Sequence, residues 1–288
     1  MRPVDIAESG RCVVYMLSQH EIEHYHEHGY VVPDCQVDDS DLARMREALR
    51  ALQREHPHVD LDFVPSPHVP NYVPGVSAYE EWLAFARIPV VLSAVEQLIG
   101  PDFLMWGSAL FGKPGNGGKE TPLHQDGEYW PIKPLASCTV WLALDDSTPQ
   151  NGCLRVMPGS HRHKDLFRHR RDDDAGFTLN QVLDDPRLPD EAARNVTLKA
   201  GQFSIHDVFL VHGSAPNHSG SRRAGMTYRY MPTTSHFDHD WAGEMTRTMG
   251  TTDMSYRPLF LMSGEDRCGL NDLTRGHHVY ASPKETML

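Results

Sequence analysis

The apolar positions of this chain follow a helical period up to about residue 100 and a strand-like one after it. In "SDLARMREALRALQREH", Leu42, Met45, Leu49 and Leu52 recur at spacings of three, four and three, which predicts one buried face of an amphipathic helix. Upstream, Ser18-Gln19-His20-Glu21 has the spacing of a capping box, in which a hydroxyl and a carboxylate satisfy the first free backbone N–H groups. Gly29 predicts the end of that helix. A further helical stretch, "AYEEWLAFARIPVVLSAVEQLIG", should break at Pro89, which has no N–H to donate, and stop at Gly100.

From Phe103 the runs shorten. "FLMWGSALFG", "ASCTVWLAL", "CLRVM", "NVTLKA", "VFLVHG" and "GMTYRYM" are rich in β-formers and separated by turn residues. Asn151-Gly152, between two such runs, predicts a hairpin, because both residues tolerate the left-handed backbone of a tight turn. The polar segment from Arg168 to Asn195 reads as a surface excursion carrying a short helix. No internal repeat is present. The expected fold is mainly β with α: N-terminal helices flanking a β-sandwich or jelly-roll barrel of about eight strands. A length of 288 residues would suit about two domains at roughly 150 each, but all-β units of about 200–250 residues fold as one. A single domain over residues 16–288 is therefore expected, helical over 18–100, barrel over 103–232, with a C-terminal lid or tail over 233–288.

Charge and cysteine content narrow the function. With 27 basic against 39 acidic residues the net charge is −12, which disfavours nucleic acid or an anionic membrane as partner and leaves a small molecule. The 5 cysteines are scattered without a Cys-x-x-Cys pair, as expected of reduced thiols rather than a disulfide framework. The opening residues hold no apolar run suited to a signal sequence, and no span of about 18 apolar residues follows, so a soluble, cytoplasmic protein is expected.

The candidate chemistry begins at "PLHQDGEYWP". On an extended segment, His124 and Asp126 point to one side and can share an ion. His212, at the end of the apolar run "VFLVHG", supplies a second imidazole. Two histidines and one carboxylate with open positions are the ligand set of non-haem Fe(II) oxygenases, whereas structural zinc favours a closed set of four. Arg223 stands eleven residues beyond His212, past a Gly-Ser turn, and a hairpin of that length would return its guanidinium beside the histidine. There it would clamp a carboxylate through paired charge-assisted hydrogen bonds, with Ser214 adding another. A dicarboxylate held by arginine at one end and by iron at the other describes 2-oxoglutarate. The neighbouring Arg222 competes for that role. His206-Asp207 reads equally as a pair behind the metal ligands or as an outward turn, and His236, Asp238, His239 and Asp240 of "HFDHDW" are candidates for the substrate entrance. No G-x-S-x-G elbow or phosphate-cradling loop occurs.

Taken in order, "PLHQDGEYWPIKP", "TVWLALDD", "NGCLRVMPGSH", "LVHGSAPNHSGSRR" and "YRYMP" resemble the phytanoyl-CoA dioxygenase family of Fe(II)/2-oxoglutarate oxygenases, from about Met16 to Pro232. The resemblance implies a double-stranded β-helix, iron on His124, Asp126 and His212, and Trp141, Ser214 and Arg223 around 2-oxoglutarate. It implies O2 as second cosubstrate, and Asp126 favours hydroxylation over the halogenation of relatives that lack this carboxylate. The tail "RPLFLMSGEDRCGLNDLTRGHH" is similar to that of members oxidising small organophosphonates. Too polar for another core strand, it predicts a charged lid from Arg257, Asp266, Arg267, Asn271 and Asp272 over a small anionic substrate. Competing readings are a natural-product oxygenase of the same family, a metal-dependent hydrolase and a catalytically silent ligand-binding barrel.

Overall fold

The computed structural model describes residues 15–57, 59–70, 72, 79–249 and 252–277, so Cys12 and the opening stretch read for a signal sequence lie outside the described residues. Helix α1 (Gln19–His28) carries the complete capping box of Ser18 and Glu21, and Gly29 ends it at φ 83°. Strand β1 (Tyr30–Val31) follows, then α2 (Asp39–Glu55), which buries Leu42, Met45, Leu49 and Leu52 as its spacing requires. Strand β2 (Val64–Pro65) precedes two helices, α3 (Tyr79–Phe85) and α4 (Pro89–Ile99), with Pro89 in the first turn of α4 and Gly100 as its cap.

The β region contains β3 (Phe103–Phe111), β4 (Thr121–His124), β5 (Ile132–Lys133), β6 (Cys138–Ala143) and β7 (Leu154–Val156). It continues through β8 (His169–Arg171), β9 (Gln181–Leu183), β10 (Arg194–Val196), β11 (Phe203–Asp207), β12 (His212–Ser214) and β13 (Gly225–Pro232). The chain then adds β14 (His236–Phe237), α5 (His239–Met249) and β15 (Phe260–Ser263). One sheet has 7 strands in the order β1-β11-β6-β13-β3-β15, with β2 also on β3, and the other has 4 in the order β10-β7-β12-β4. Both are antiparallel, and they pack face to face as a jelly-roll, the double-stranded β-helix. They remain separate hydrogen-bonded sheets rather than a closed barrel.

Side-chain alternation in the larger sheet decides what faces the site. Cys138, Val140 and Leu142 of β6, Phe203 and Ile205 of β11, and Met226, Tyr228 and Tyr230 of β13 form one core with α1–α4. Tyr228 and Tyr230 donate their hydroxyls to the carbonyls of Trp82 and Ala86. The intervening residues, Thr139, Trp141, Ser204, His206, Thr227 and Arg229, therefore turn inward towards the smaller sheet. That inward row builds the site.

Two local expectations are corrected. Asn151-Gly152 makes a tight turn with Gly152 at φ 77°, but β6 and β7 lie in different sheets, so it is a crossover and not a hairpin. Residues 168–195 form the β8–β9 ribbon, and their only helical element among the described residues is a 3₁₀ turn at Asp190–Ala192. The C-terminal stretch supplies an edge strand, β15, on β3. Cys35, Cys138, Cys153 and Cys268 are free thiols. Among the described residues no helix is long and apolar enough to cross a membrane.

Candidate active site

Pairing of β4 with β12 sets His124 directly opposite His212, their ring centroids 4.4 Å apart. Gly213 permits this approach: a Cβ there would lie 2.7 Å from the Thr121 carbonyl oxygen. Each ring is oriented by its own chain. His124 Nδ1 lies 2.7 Å from the Pro122 oxygen and His212 Nδ1 3.0 Å from the Leu210 oxygen. A carbonyl only accepts, so both Nδ1 atoms carry the proton and both Nε2 lone pairs are free for a metal.

The chain stays extended through Gln125 and then coils into a 3₁₀ turn that opens with Asp126. Gln125, fully buried, points away and pins this junction: its amide donates to the carbonyls of Asp165 and Phe209 and accepts from the Phe167 N–H. Asp126 Oδ1 then lies 3.7 Å from His124 Nε2, and Oδ2 lies 3.9 Å from His212 Nε2. Thr139 donates to Oδ2 at 3.1 Å. The three ligand atoms lie within 4.8 Å of one another, and all three residues are buried. Burial alone would raise the Asp126 pKa, but the imidazoles of His212, His124 and His206 hold it well below the ordinary carboxylate range. Burial, with His124 and His206 nearby, pushes His212 well below the ordinary histidine value. A buried carboxylate held anionic beside two imidazoles whose Nε2 atoms face it is a donor set that fits a divalent ion.

Strand register lays Arg229, Thr139 and His206 side by side across β13, β6 and β11, facing Asp126. The two readings of His206-Asp207 divide between the residues. His206 is buried, with Nε2 3.9 Å from Asp126 Oδ2 and neither ring nitrogen hydrogen-bonded among the described residues. Asp207 instead pairs with Lys164 at 2.6 Å.

Trp141, Ser214 and Arg223 line a pocket shared with His124, Asp126 and His212. Arg223 is 2% exposed, lies 5.1 Å from the Trp141 ring, and its Nε has no hydrogen-bond partner among the described residues. Arg222 is taken: its Nε and Nη2 bind the Asp145 carboxylate at 2.8 and 3.0 Å. The hairpin expected between His212 and Arg223 is a passage between sheets, since β12 and β13 do not pair, yet it returns the guanidinium to the histidine. Gly225 seats the indole of Trp141, whose Cζ2 would be 2.2 Å from a Cβ added there.

A second cavity, of about 280 Å³, opens from the same His124 and Asp126 and is walled by Trp106, Tyr129, Trp130, Leu179, Arg229 and Arg257. Of the five residues expected to form a lid, only Arg257 borders it. Arg267 binds Asp102, the Asn271 amide fastens the carbonyls of Thr233 and Ser235, and Asp266 and Asp272 close local turns. The residues of "HFDHDW" do not border it either: Asp238 caps α5, and His239 donates to the Arg257 carbonyl. Arg229 and Gln125 were not singled out from sequence. The signal for Arg229 was there, because Tyr228 and Tyr230 flank it and alternation sends it to the opposite face.

Comparison with known proteins gives the family. The family model described as phytanoyl-CoA dioxygenase matches residues 25–225. Peroxisomal phytanoyl-CoA dioxygenase of Bos taurus is 27% identical over 241 residues, covering 77% of this chain and 71% of the relative. A probable alpha-ketoglutarate-dependent hypophosphite dioxygenase of Stutzerimonas stutzeri is 25% identical over 187 residues, covering 64% and 58%. Among solved structures, the apo form of the non-heme monooxygenase ThoJ shares the fold with a TM-score of 0.65 at 23% identity, covering 85% and 84%. The chain belongs to the phytanoyl-CoA dioxygenase family and is an oxygenase that uses Fe(II) and 2-oxoglutarate.

Proposed function

We propose that His124, Asp126 and His212 hold Fe(II), that Arg223, Ser214 and Trp141 hold 2-oxoglutarate, and that the enzyme hydroxylates a C–H bond of a small anionic metabolite in the adjoining cavity. The observation that carries this reading is Arg223: a guanidinium 2% exposed, with Nε unpartnered, in the same pocket as the two histidines and the carboxylate. An unpaired buried cation is costly unless an anion completes it. A metal-dependent hydrolase would have no use for that cation.

Iron and 2-oxoglutarate, when bound, supply the activation of O2, with succinate and CO2 as by-products. The chain's own residues do the positioning. Backbone carbonyls fix both imidazoles, Thr139 and His206 flank the Asp126 carboxylate, and Arg223 fixes the far end of the cosubstrate. Apolar walls at Trp106, Trp130 and Leu179 limit water beside the substrate. A small substrate is supported by the cavity volume of about 280 Å³, below the usual range of roughly 300–1,000 Å³ for drug-sized ligands. An anionic one is supported by the arginines in its wall and by the hypophosphite for which the Stutzerimonas relative is named.

The test is succinate release under air from Fe(II), 2-oxoglutarate and a panel of small phosphonates, amino-acid derivatives, terpenoid acids and phytanoyl-CoA. Stimulation by small anions is expected. A response confined to the acyl-CoA or to bulky hydrophobes would refute the substrate reading.

A further inference from the structure

Arg229 and Arg257 occupy the wall of the 280 Å³ cavity, and neither has a carboxylate within ion-pair reach among the described residues. Arg257 is 5% exposed; its Nη2 donates to the Tyr72 hydroxyl at 2.7 Å, its Nη1 to Ser66 Oγ, and its guanidinium stacks 4.5 Å from the Tyr72 ring. These contacts fix the fork but leave Nε without a partner among the described residues. The backbone behind it is also held, by His239 on its carbonyl oxygen. Arg229 lies 5.4 Å from the Trp130 ring and 5.8 Å from Trp106, its Nε likewise unpartnered. Gly107, opposite Arg229 on β3, leaves room for its side chain, the nearest contact to a Cβ there being Arg229 Cδ at 3.7 Å.

His68 feels both charges: burial and then Arg257 and Arg229 hold it well below the ordinary histidine value. Two like charges gathered out of water repel one another; Asp126, beyond ion-pair distance, offsets this in part for Arg229, while Arg257 has the Ser66 and Tyr72 hydroxyls and the Tyr72 ring but no carboxylate among the described residues. The arrangement makes sense when a dianion sits between them. A purely structural arginine would spend its donors on backbone carbonyls or a carboxylate, as Arg222 does on Asp145.

We propose that Arg257 and Arg229 form a subsite for the doubly charged tetrahedral oxyanion of the substrate, a phosphonate or phosphate group, with the rest of the molecule directed to His124 and Asp126. This rests on the functional reading above and specifies its substrate class. Planar guanidinium forks match such oxygens with paired hydrogen bonds, and two of them balance two negative charges where a monocarboxylate balances one.

The experiment is calorimetric titration of methylphosphonate, inorganic phosphate and acetate into the anaerobic Fe(II)- and 2-oxoglutarate-loaded protein, in mildly alkaline buffer. Wild type should bind methylphosphonate in a 1:1 complex and acetate far more weakly. Arg257→Gln and Arg229→Gln should each weaken methylphosphonate binding by roughly 30-fold or more. Arg257→Lys, which keeps the charge without the fork, should fall between. Arg257→Gln should bind 2-oxoglutarate as wild type does, which separates this subsite from the cosubstrate site. Acetate binding as tightly as methylphosphonate, binding indifferent to Arg257→Gln, or an Arg229→Gln effect confined to 2-oxoglutarate would each overturn the proposal. Tight binding of inorganic phosphate with none of methylphosphonate would overturn it too, since a substrate must bring carbon to the metal.

Discussion

Two adjacent arginines illustrate how local partners assign roles that sequence cannot. Arg222 and Arg223 differ by one position at the head of β13, so they leave the chain on opposite sides. The outer one meets Asp145, and the inner one faces the pocket. Spacing favours Arg223 for the proposed clamp, and the occupied fork of Arg222 supports that choice. Arg223→Ala should raise the dissociation constant for 2-oxoglutarate by about 30-fold to several-thousand-fold, the effect of removing one side of a desolvated charge pair worth roughly 2–5 kcal/mol. Arg222→Ala should leave cosubstrate binding within about threefold, because only a half-exposed ion pair is lost. Titration of both variants checks the ranking. Thr139→Val tests the support of the carboxylate at the same scale: losing its hydrogen bond to Asp126 should weaken metal binding by about 10- to 100-fold with the fold intact. Unchanged metal affinity would mean that Asp126 is held by other groups.

At the scale of elements, the helices and the order of the β runs were legible because each depends on near neighbours. The capping box at Ser18, the apolar stripe from Leu42 to Leu52 and the proline start of α4 are settled within a few residues of chain. What was not legible depends on which sheet a strand joins. Asn151-Gly152 has hairpin chemistry, but β7 finds β10 and β12 rather than β6, and that choice is made by packing across the sandwich. The polar tail concealed β15 because an edge strand needs only one hydrogen-bonded side and tolerates half-exposed residues. His124, Asp126 and His212 were legible as candidates because a motif carried them, and alternation already set Arg229 opposite Tyr228 and Tyr230, whereas choosing between the two readings of His206 needed the register of β11 on β6. Gly225 shows what that register protects. Gly225→Ala should drive the Trp141 indole into the cosubstrate pocket, raising the KM for 2-oxoglutarate while metal affinity changes little; overpacking of this kind costs about 1–3 kcal/mol in stability. A variant with normal 2-oxoglutarate kinetics would show that Trp141 does not border the bound cosubstrate.

Across the whole molecule, one centre joins the two sheets: the smaller contributes both histidines, and the larger contributes Thr139, Trp141, His206 and Arg229. Metal and cosubstrate bound at the proposed residues would bridge layers that otherwise meet through side chains alone. Ligand that binds only the folded state stabilises it by mass action, about 2.7 kcal/mol at a hundredfold excess over Kd. Fe(II) with 2-oxoglutarate should accordingly raise the melting temperature of the wild type, and a chelator should return it. His212→Ala should show no such rise. The measurement that tests the central assignment most directly is the anaerobic titration of 2-oxoglutarate into wild type, His124→Ala, Asp126→Ala, His212→Ala and Arg223→Ala, each with and without Fe(II). Saturable binding that requires iron in the wild type, loss of that iron dependence in the three ligand variants, and weak binding in Arg223→Ala are the expected results. Iron-independent binding in the wild type, or undiminished iron-dependent binding in any of the three ligand variants, would contradict the assignment.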